Sequence, residues 1–172
     1  MNKRLDAYFF ERNALDIAPE ILGKIIARRL PDGTCLRTTI TEVEVYLGEE
    51  DLACHACKGR TPRTEIMYHT GGHAYVYLIY GMYWMLNFVT GTTDDPQAIL
   101  IRGTHEANGP GKLGRFLQLD KSFYGENLCL SSRLWVESNG SPDASYFTAP
   151  RIGINYAGPV WSKKPWRYII SP

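Results

Sequence analysis

The run Tyr75-Val76-Tyr77-Leu78-Ile79-Tyr80-Gly81-Met82-Tyr83-Trp84-Met85-Leu86-Asn87 constrains the fold more than any other stretch of the chain. Aromatic and β-branched residues fill both of its halves and a glycine divides them. This predicts two strands folded over a Tyr80-Gly81-Met82-Tyr83 turn. Hairpin tips are ordinarily polar, whereas this one carries Tyr80, Met82 and Tyr83, which are costly to leave in water. Two outcomes fit that chemistry. The tip folds back into the core, or it serves as a narrow apolar knob of the shape that wedges between stacked bases. The segment alone leaves both open.

The flanking sequence supplies a sheet for the hairpin to join. Asp16 to Leu22 predicts a short helix, with Pro19 near its start and Gly23 just past its end. Lys24 to Leu30 predicts a strand, Pro31-Asp32-Gly33 a turn, and Cys35 to Leu47 the returning strand. Leu113, Phe116 and Leu117 mark an apolar helical turn begun by Gly109-Pro110-Gly111. Asp143 to Phe147 has no clear pattern, and Arg151 to Tyr156 and Arg167 to Ile170 predict closing strands. No repeat, linker or low-complexity tract interrupts the order. The expectation is an α+β fold: a single domain over residues 1–172, with a curved, largely antiparallel sheet, flanking helices and a protruding hairpin.

Along Thr41-Glu42-Val43-Glu44-Val45-Tyr46 the side chains alternate, so Glu42, Glu44 and Tyr46 share one face and Val43 and Val45 the other. A strand with one wet face would look the same. Yet Gly48-Glu49-Glu50-Asp51 and His55 follow closely. A carboxylate can hold and activate water. Rings on both sides can hold a flat cationic heterocycle by stacking and cation–π attraction.

A net charge of +1 excludes a molecule that binds polyanions over its whole surface. A nucleic-acid face would need local clusters: Lys58-Gly59-Arg60-Thr61-Pro62-Arg63, Lys112 with Arg115, or Lys163-Lys164-Pro165-Trp166-Arg167. Each reads equally as ordinary solvated surface. No stretch has the uninterrupted apolar length of a membrane helix, and Met1-Asn2-Lys3-Arg4-Leu5-Asp6 leads into no apolar run. A soluble cytoplasmic protein is expected. Of the four cysteines, Cys54 and Cys57 enclose His55 at metal-ligand spacing, but Cys35 and Cys129 are isolated. A thioredoxin-like βαβ unit and a deaminase His-x-Glu are both missing. Reduced thiols without a metal are expected.

Read together, these segments resemble the 3-methyladenine DNA glycosylases of the alkyladenine type. The resemblance rests on Glu42 through Gly48, His55, Gly59 through Arg63, Tyr75 through Asn87, Ala98 through Arg102, Gly109 through Leu113 and Arg151 through Ile154. They stand in the family's order at nearly its spacing, from Phe9 to the C-terminus. The resemblance implies that Glu44 is the general base for the water that attacks C1′ of the deoxyribose, and that Arg102 positions that water and a nearby phosphate. It implies that Tyr46, His55 and Tyr77 sandwich the flipped base, and that Asn87 disfavours the exocyclic amino group of guanine. Tyr80 would enter the gap left in the duplex, with Met82 and Tyr83 beside it in the minor groove. Arg60, Thr61, Arg63 and Lys112 complete the expected DNA-binding set. The implied activity is monofunctional, with no cofactor and no metal, on double-stranded DNA containing alkylated purines, by a monomer that meets no membrane.

The sequence departs from the family at Cys54 and Cys57, which flank His55, and at Thr64, where asparagine is usual. It departs also at Asn155, where an acidic residue is expected, and in the short segment from Arg102 to Gly109. Two other classes remain. One is a non-catalytic nucleic-acid-binding module of the same fold, against which Glu44 and Arg102 together argue. The other is a metal-dependent hydrolase built on Cys54, His55 and Cys57.

Overall fold

A computed structural model describes residues 2–141 and 143–172. Among them the sequence forms nine strands, all paired antiparallel in an open, curved sheet. The elements in chain order are β1 (Lys3–Arg4), α1 (Ala7–Phe10), α2 (Ala14–Ile21), β2 (Ile25–Arg29), β3 (Cys35–Leu47), β4 (Ala74–Ile79), β5 (Tyr83–Thr90), β6 (Gln97–Thr104), α3 (Pro110–Phe116), β7 (Leu134–Ser138), β8 (Tyr146–Ala149), α4 (Gly158–Trp161) and β9 (Arg167–Ile170). The main path runs β1-β7-β2-β3-β6-β5-β4, with β9 paired to β3 and β8 to β9. The architecture is the α+β one that the sequence predicts.

One sheet face is the main core. Val43 and Val45 of β3, Leu86 and Phe88 of β5, and Ile99 and Ile101 of β6 are fully buried there against Ile17 and Ile21 of α2, Leu113 of α3 and Leu117 just past its end. The period-two alternation of those strands sends the remaining side chains to the opposite face. Residues 51–69 cover part of that face, packing Cys54, Ala56, Ile66, Met67 and Tyr68 against Tyr75, Val89 and Ala98.

Helix α3 sits hard against the hairpin because two glycines let it. A Cβ on Gly114 would lie 2.1 Å from the Trp84 carbonyl oxygen, and one on Gly111 2.8 Å from the Tyr83 ring. The hairpin of β4 and β5 closes over a turn in which Tyr80 (φ 50°) and Gly81 (φ 66°) both take positive φ, as a type I′ turn requires. Glycine adopts that region freely, but tyrosine does not.

Two expectations need correction, and one open stretch gains a strand. The helix expected from Asp16 is α2, which begins at Ala14 because the Asn13 side chain caps it by accepting from the Leu15 N–H; Pro19 therefore lies inside it and not near its start. Arg151 to Tyr156 is not a strand. Gly153 takes a φ of 74°, which breaks extended pairing, and Asn155–Ala157 closes into a 3₁₀ turn. The patternless stretch after Asp143 yields β8, whose partner is β9.

Candidate active site

Glu44 lies at the centre of the second sheet face. At this point β3 is paired on both edges, with Glu44 opposite Leu100 of β6 and Arg167 of β9, so its backbone is fixed from two sides. The side chain is fully buried. One carboxylate oxygen accepts from the Tyr46 hydroxyl at 2.7 Å and the other from the Ile152 backbone N–H at 2.7 Å. Burial raises the Glu44 pKa above the ordinary carboxylic value, opposed by the Ile152 N–H, the Tyr46 hydroxyl and the charges of Arg102 and Arg151. A desolvated carboxylate with a proton affinity above normal is a better base than one in water.

Arg102 arrives beside it through a break in the ladder. Glu42 pairs with Gly103 and Val43 with Ile101, so the register skips Arg102. Such bulges re-aim side chains and cluster beside active sites. The Arg102 Nε stands 3.4 Å from a Glu42 oxygen and 3.7 Å from a Glu44 oxygen. Arg167 also donates to Glu42, at 2.9 Å. Glu42 is thus neutralised by two arginines, whereas Glu44 keeps its longer contact with one.

Beside the carboxylate, Tyr46, His55, Tyr77, Asn87 and Tyr156 line a cleft whose floor is Met67, Tyr75 and Ala98. His55 and Tyr77 meet edge to face at 4.7 Å. His55 Nδ1 shares a 2.8 Å hydrogen bond with the Tyr75 hydroxyl. Burial, followed by the charges of Arg63 and Lys58, pushes the His55 pKa down to about 4, so the imidazole is neutral at physiological pH. A neutral ring does not repel a cationic guest. The Asn87 amide donates to the Tyr75 backbone carbonyl at 3.0 Å, which pins it in the cleft wall.

The other expected site residues divide. Tyr80 and Met82 project from the hairpin tip, 86% and 56% exposed, so the tip does not fold back into the core. Arg63 is exposed with its guanidinium 5.2 Å from the centre of the Tyr77 ring. Lys112 is exposed on α3, and Tyr83 packs beneath Arg115 on the same helix. Arg60, in contrast, is bound to Glu65 and Asp94 and lies over the Tyr68 ring. Thr61 bonds Thr64 and shapes the turn that carries Arg63. The structure brings neither Arg60 nor Thr61 into the cleft.

Three contributors are not among the expected site residues. Asp51 and Arg151 form a fully buried pair at 2.6 and 2.9 Å. Asp51 also accepts from the N–H groups of Leu47 and Ala53, and Arg151 lies between the rings of Tyr46 and Trp166. The pair fastens the segment that delivers the third contributor, the Ile152 N–H. Cys54 is buried and Cys57 partly so. Among the described residues, no group of three His, Cys, Asp or Glu side chains is placed to hold a metal ion. Also among them, no helix is long and apolar enough to cross a membrane.

Comparison with known proteins covers nearly the whole chain. The family model of methylpurine-DNA glycosylase matches residues 8–107 and 104–172, two stretches that meet within the short segment after Arg102. A protein of Psychrobacter cryohalolentis is 42% identical over 94% of this chain and 89% of its own length. One of Methanocella arvoryzae is 41% identical over 93% and 88%, and one of Borreliella burgdorferi 38% identical over 96% and 95%. All three carry the provisional name 3-methyladenine DNA glycosylase.

Proposed function

The chain belongs to the methylpurine-DNA glycosylase family, and from that premise we propose that it is a monofunctional glycosylase which flips alkylated purines out of duplex DNA and hydrolyses their N-glycosidic bond. The observation that carries this reading is the Glu44 carboxylate, wholly buried, held by Tyr46 and Ile152, and set beside both Arg102 and an aromatic cleft.

The chemistry follows from that arrangement. A purine methylated at a ring nitrogen carries positive charge and leaves readily, so strong acid catalysis is not required. As the bond from C1′ to the base breaks, positive charge grows on the sugar. A carboxylate stabilises that charge and removes a proton from the water whose oxygen bonds to C1′. The base leaves with the bonding electron pair, and the products are free base and an abasic site. Arg102 orients the water and a neighbouring phosphate. Tyr46, His55 and Tyr77 hold the flipped base by stacking, which favours a cationic ring over a neutral one. Asn87, fixed by the Tyr75 carbonyl, crowds the 2-amino group of guanine.

Flipping costs a few kcal/mol, and Tyr80 offsets part of it by filling the vacated stack. Met82 and Tyr83 line the minor groove beside it. Arg63 and Lys112 contact the phosphates, and Arg60 and Thr61 support the loop from which Arg63 projects. Incubation with methylated duplex DNA tests the reading. Release of free 3-methyladenine, leaving unbroken strands with abasic sites, is expected. Strand cleavage by the protein itself would contradict the monofunctional assignment, and absence of free base would contradict the activity.

A further inference from the structure

Tyr156 has no part in the reading above, yet the fold goes to some length to place it. Its 3₁₀ turn is anchored from below by Ile154 and Ala157, both buried against Ala53. Gly153 and Gly158 bound it at φ of 74° and 83°, with α4 following directly. The anchored turn pushes Tyr156 outward, where it is 72% exposed. A single exposed aromatic is unremarkable on most surfaces. This one lines the cleft together with Tyr46, His55 and Tyr77 and, being exposed, stands at its mouth. It also lines a neighbouring cavity with Leu52, Cys57, Lys58 and Arg63, and together with Ala53 and His55 it borders both spaces.

The ring is held lightly. Its hydroxyl donates to the Ala53 carbonyl at 3.3 Å, at the long end for an O–H donor. Its segment is held firmly, because Arg151 and Ile152 just upstream are bonded to Asp51 and Glu44. One segment therefore pins the carboxylate and overhangs the pocket. Of the rings that line the cleft, Tyr75 is buried and Tyr46, His55 and Tyr77 are half-buried, whereas Tyr156 is exposed at its outer edge.

We infer that Tyr156 is a base-capturing lip. It closes over the outer edge of the extruded purine and so helps to decide which bases are held long enough to react. The inference rests on the glycosylase reading. Tyr156 meets the base and not the duplex, so its removal weakens binding only where a base is present to be captured.

The test measures Kd in a Glu44→Gln background, which spares the substrate, on three duplexes: one with a methylated purine, one with an abasic-site analogue, and one undamaged. Adding Tyr156→Ala is expected to weaken binding of the lesion duplex about tenfold, the scale of losing one base–aromatic contact. Binding of the abasic duplex should stay within about twofold. Tyr156→Phe keeps the ring and should match the parent. Tyr156→Leu, which keeps bulk without a ring, should reproduce the alanine loss and serves if the alanine variant folds poorly. Equal weakening on the lesion and abasic duplexes would make Tyr156 a backbone contact, and no change on either would leave it surface; both outcomes overturn the lip. A parent that binds the lesion duplex no better than the undamaged one would overturn the glycosylase reading instead, and the lip with it.

Discussion

Taking Glu44 out of water costs the folded protein stability whenever the carboxyl is ionised, and that cost is what makes it a strong base. Its folded pKa is raised, so the fold holds this proton more tightly than the unfolded chain does. The stabilising contribution is complete below the unfolded value and disappears as pH rises through the folded value. Glutamine does not titrate. Glu44→Gln should therefore raise the melting temperature relative to wild type, by a margin that widens from acid to neutral pH and shrinks again on acidification. Thermal melts at a series of pH values check this, and a margin that stays constant or narrows toward neutrality would refute it. His55 shifts the other way. Its pKa of about 4 means that folding is weakened as pH falls from the normal histidine range through that value, and that the imidazole stays neutral where Glu44 is ionised. The acid limb of the activity profile should therefore belong to Glu44. It should keep its position in a His55→Gln variant even if the rate falls, and its displacement would assign the limb to His55.

The elements work against local preference at one place and depend on it at another. Tyr80 occupies a left-handed position in the hairpin turn at a cost of roughly 1 kcal/mol, with 86% of its surface in water. Strain and exposure persist together where function holds them. Asparagine before glycine is the preferred pair for this turn. Tyr80→Asn should accordingly stabilise the protein by about 1 kcal/mol while impairing excision. The impairment should be greater for a lesion in a good base pair than for one in a mismatch, because flipping costs least where pairing is already poor. A variant that loses stability, or that loses excision equally on both substrates, would show that the tyrosine packs and does not wedge. The tip end of the same hairpin depends on Gly114, where a Cβ would collide with the Trp84 carbonyl at 2.1 Å. Gly114→Ala should cost about 1–3 kcal/mol by overpacking. Because α3 sets the hairpin's position, excision should drop further than a fall in folded fraction explains. Calorimetry with activity assays on the residual folded protein separates the two, and a melting temperature unchanged from wild type would mean that α3 is free to shift.

For the molecule as a whole, what the sequence reveals and what it hides follow from the range of the interactions. Alternation along β3 is a local pattern, so Glu44 and Tyr46 share the predicted face, and Tyr77 and Asn87, named through the family resemblance, line the same cleft as Tyr46. The parts that hold Glu44 in place are distant in sequence. Ile152 acts through its backbone N–H, which no residue type announces, and Arg151 finds Asp51 across 100 residues. The alternation of Arg151, Ile152, Gly153 and Ile154 imitates a strand, and a glycine at positive φ undoes it. Arg60 shows the converse limit, since a basic cluster in sequence does not reveal that two carboxylates pair with one of its members.

The central claim is that one buried carboxylate performs the hydrolysis on a base already captured by the cleft. Single-turnover release of 3-methyladenine from methylated duplex DNA by wild type and Glu44→Gln, alongside their affinities for an abasic-site analogue, tests it most directly. Loss of a general base is typically worth about 100- to 10,000-fold, so release should fall by that much while affinity for the analogue is retained. Release by Glu44→Gln within about threefold of wild type would contradict the account, because no general base is then being removed.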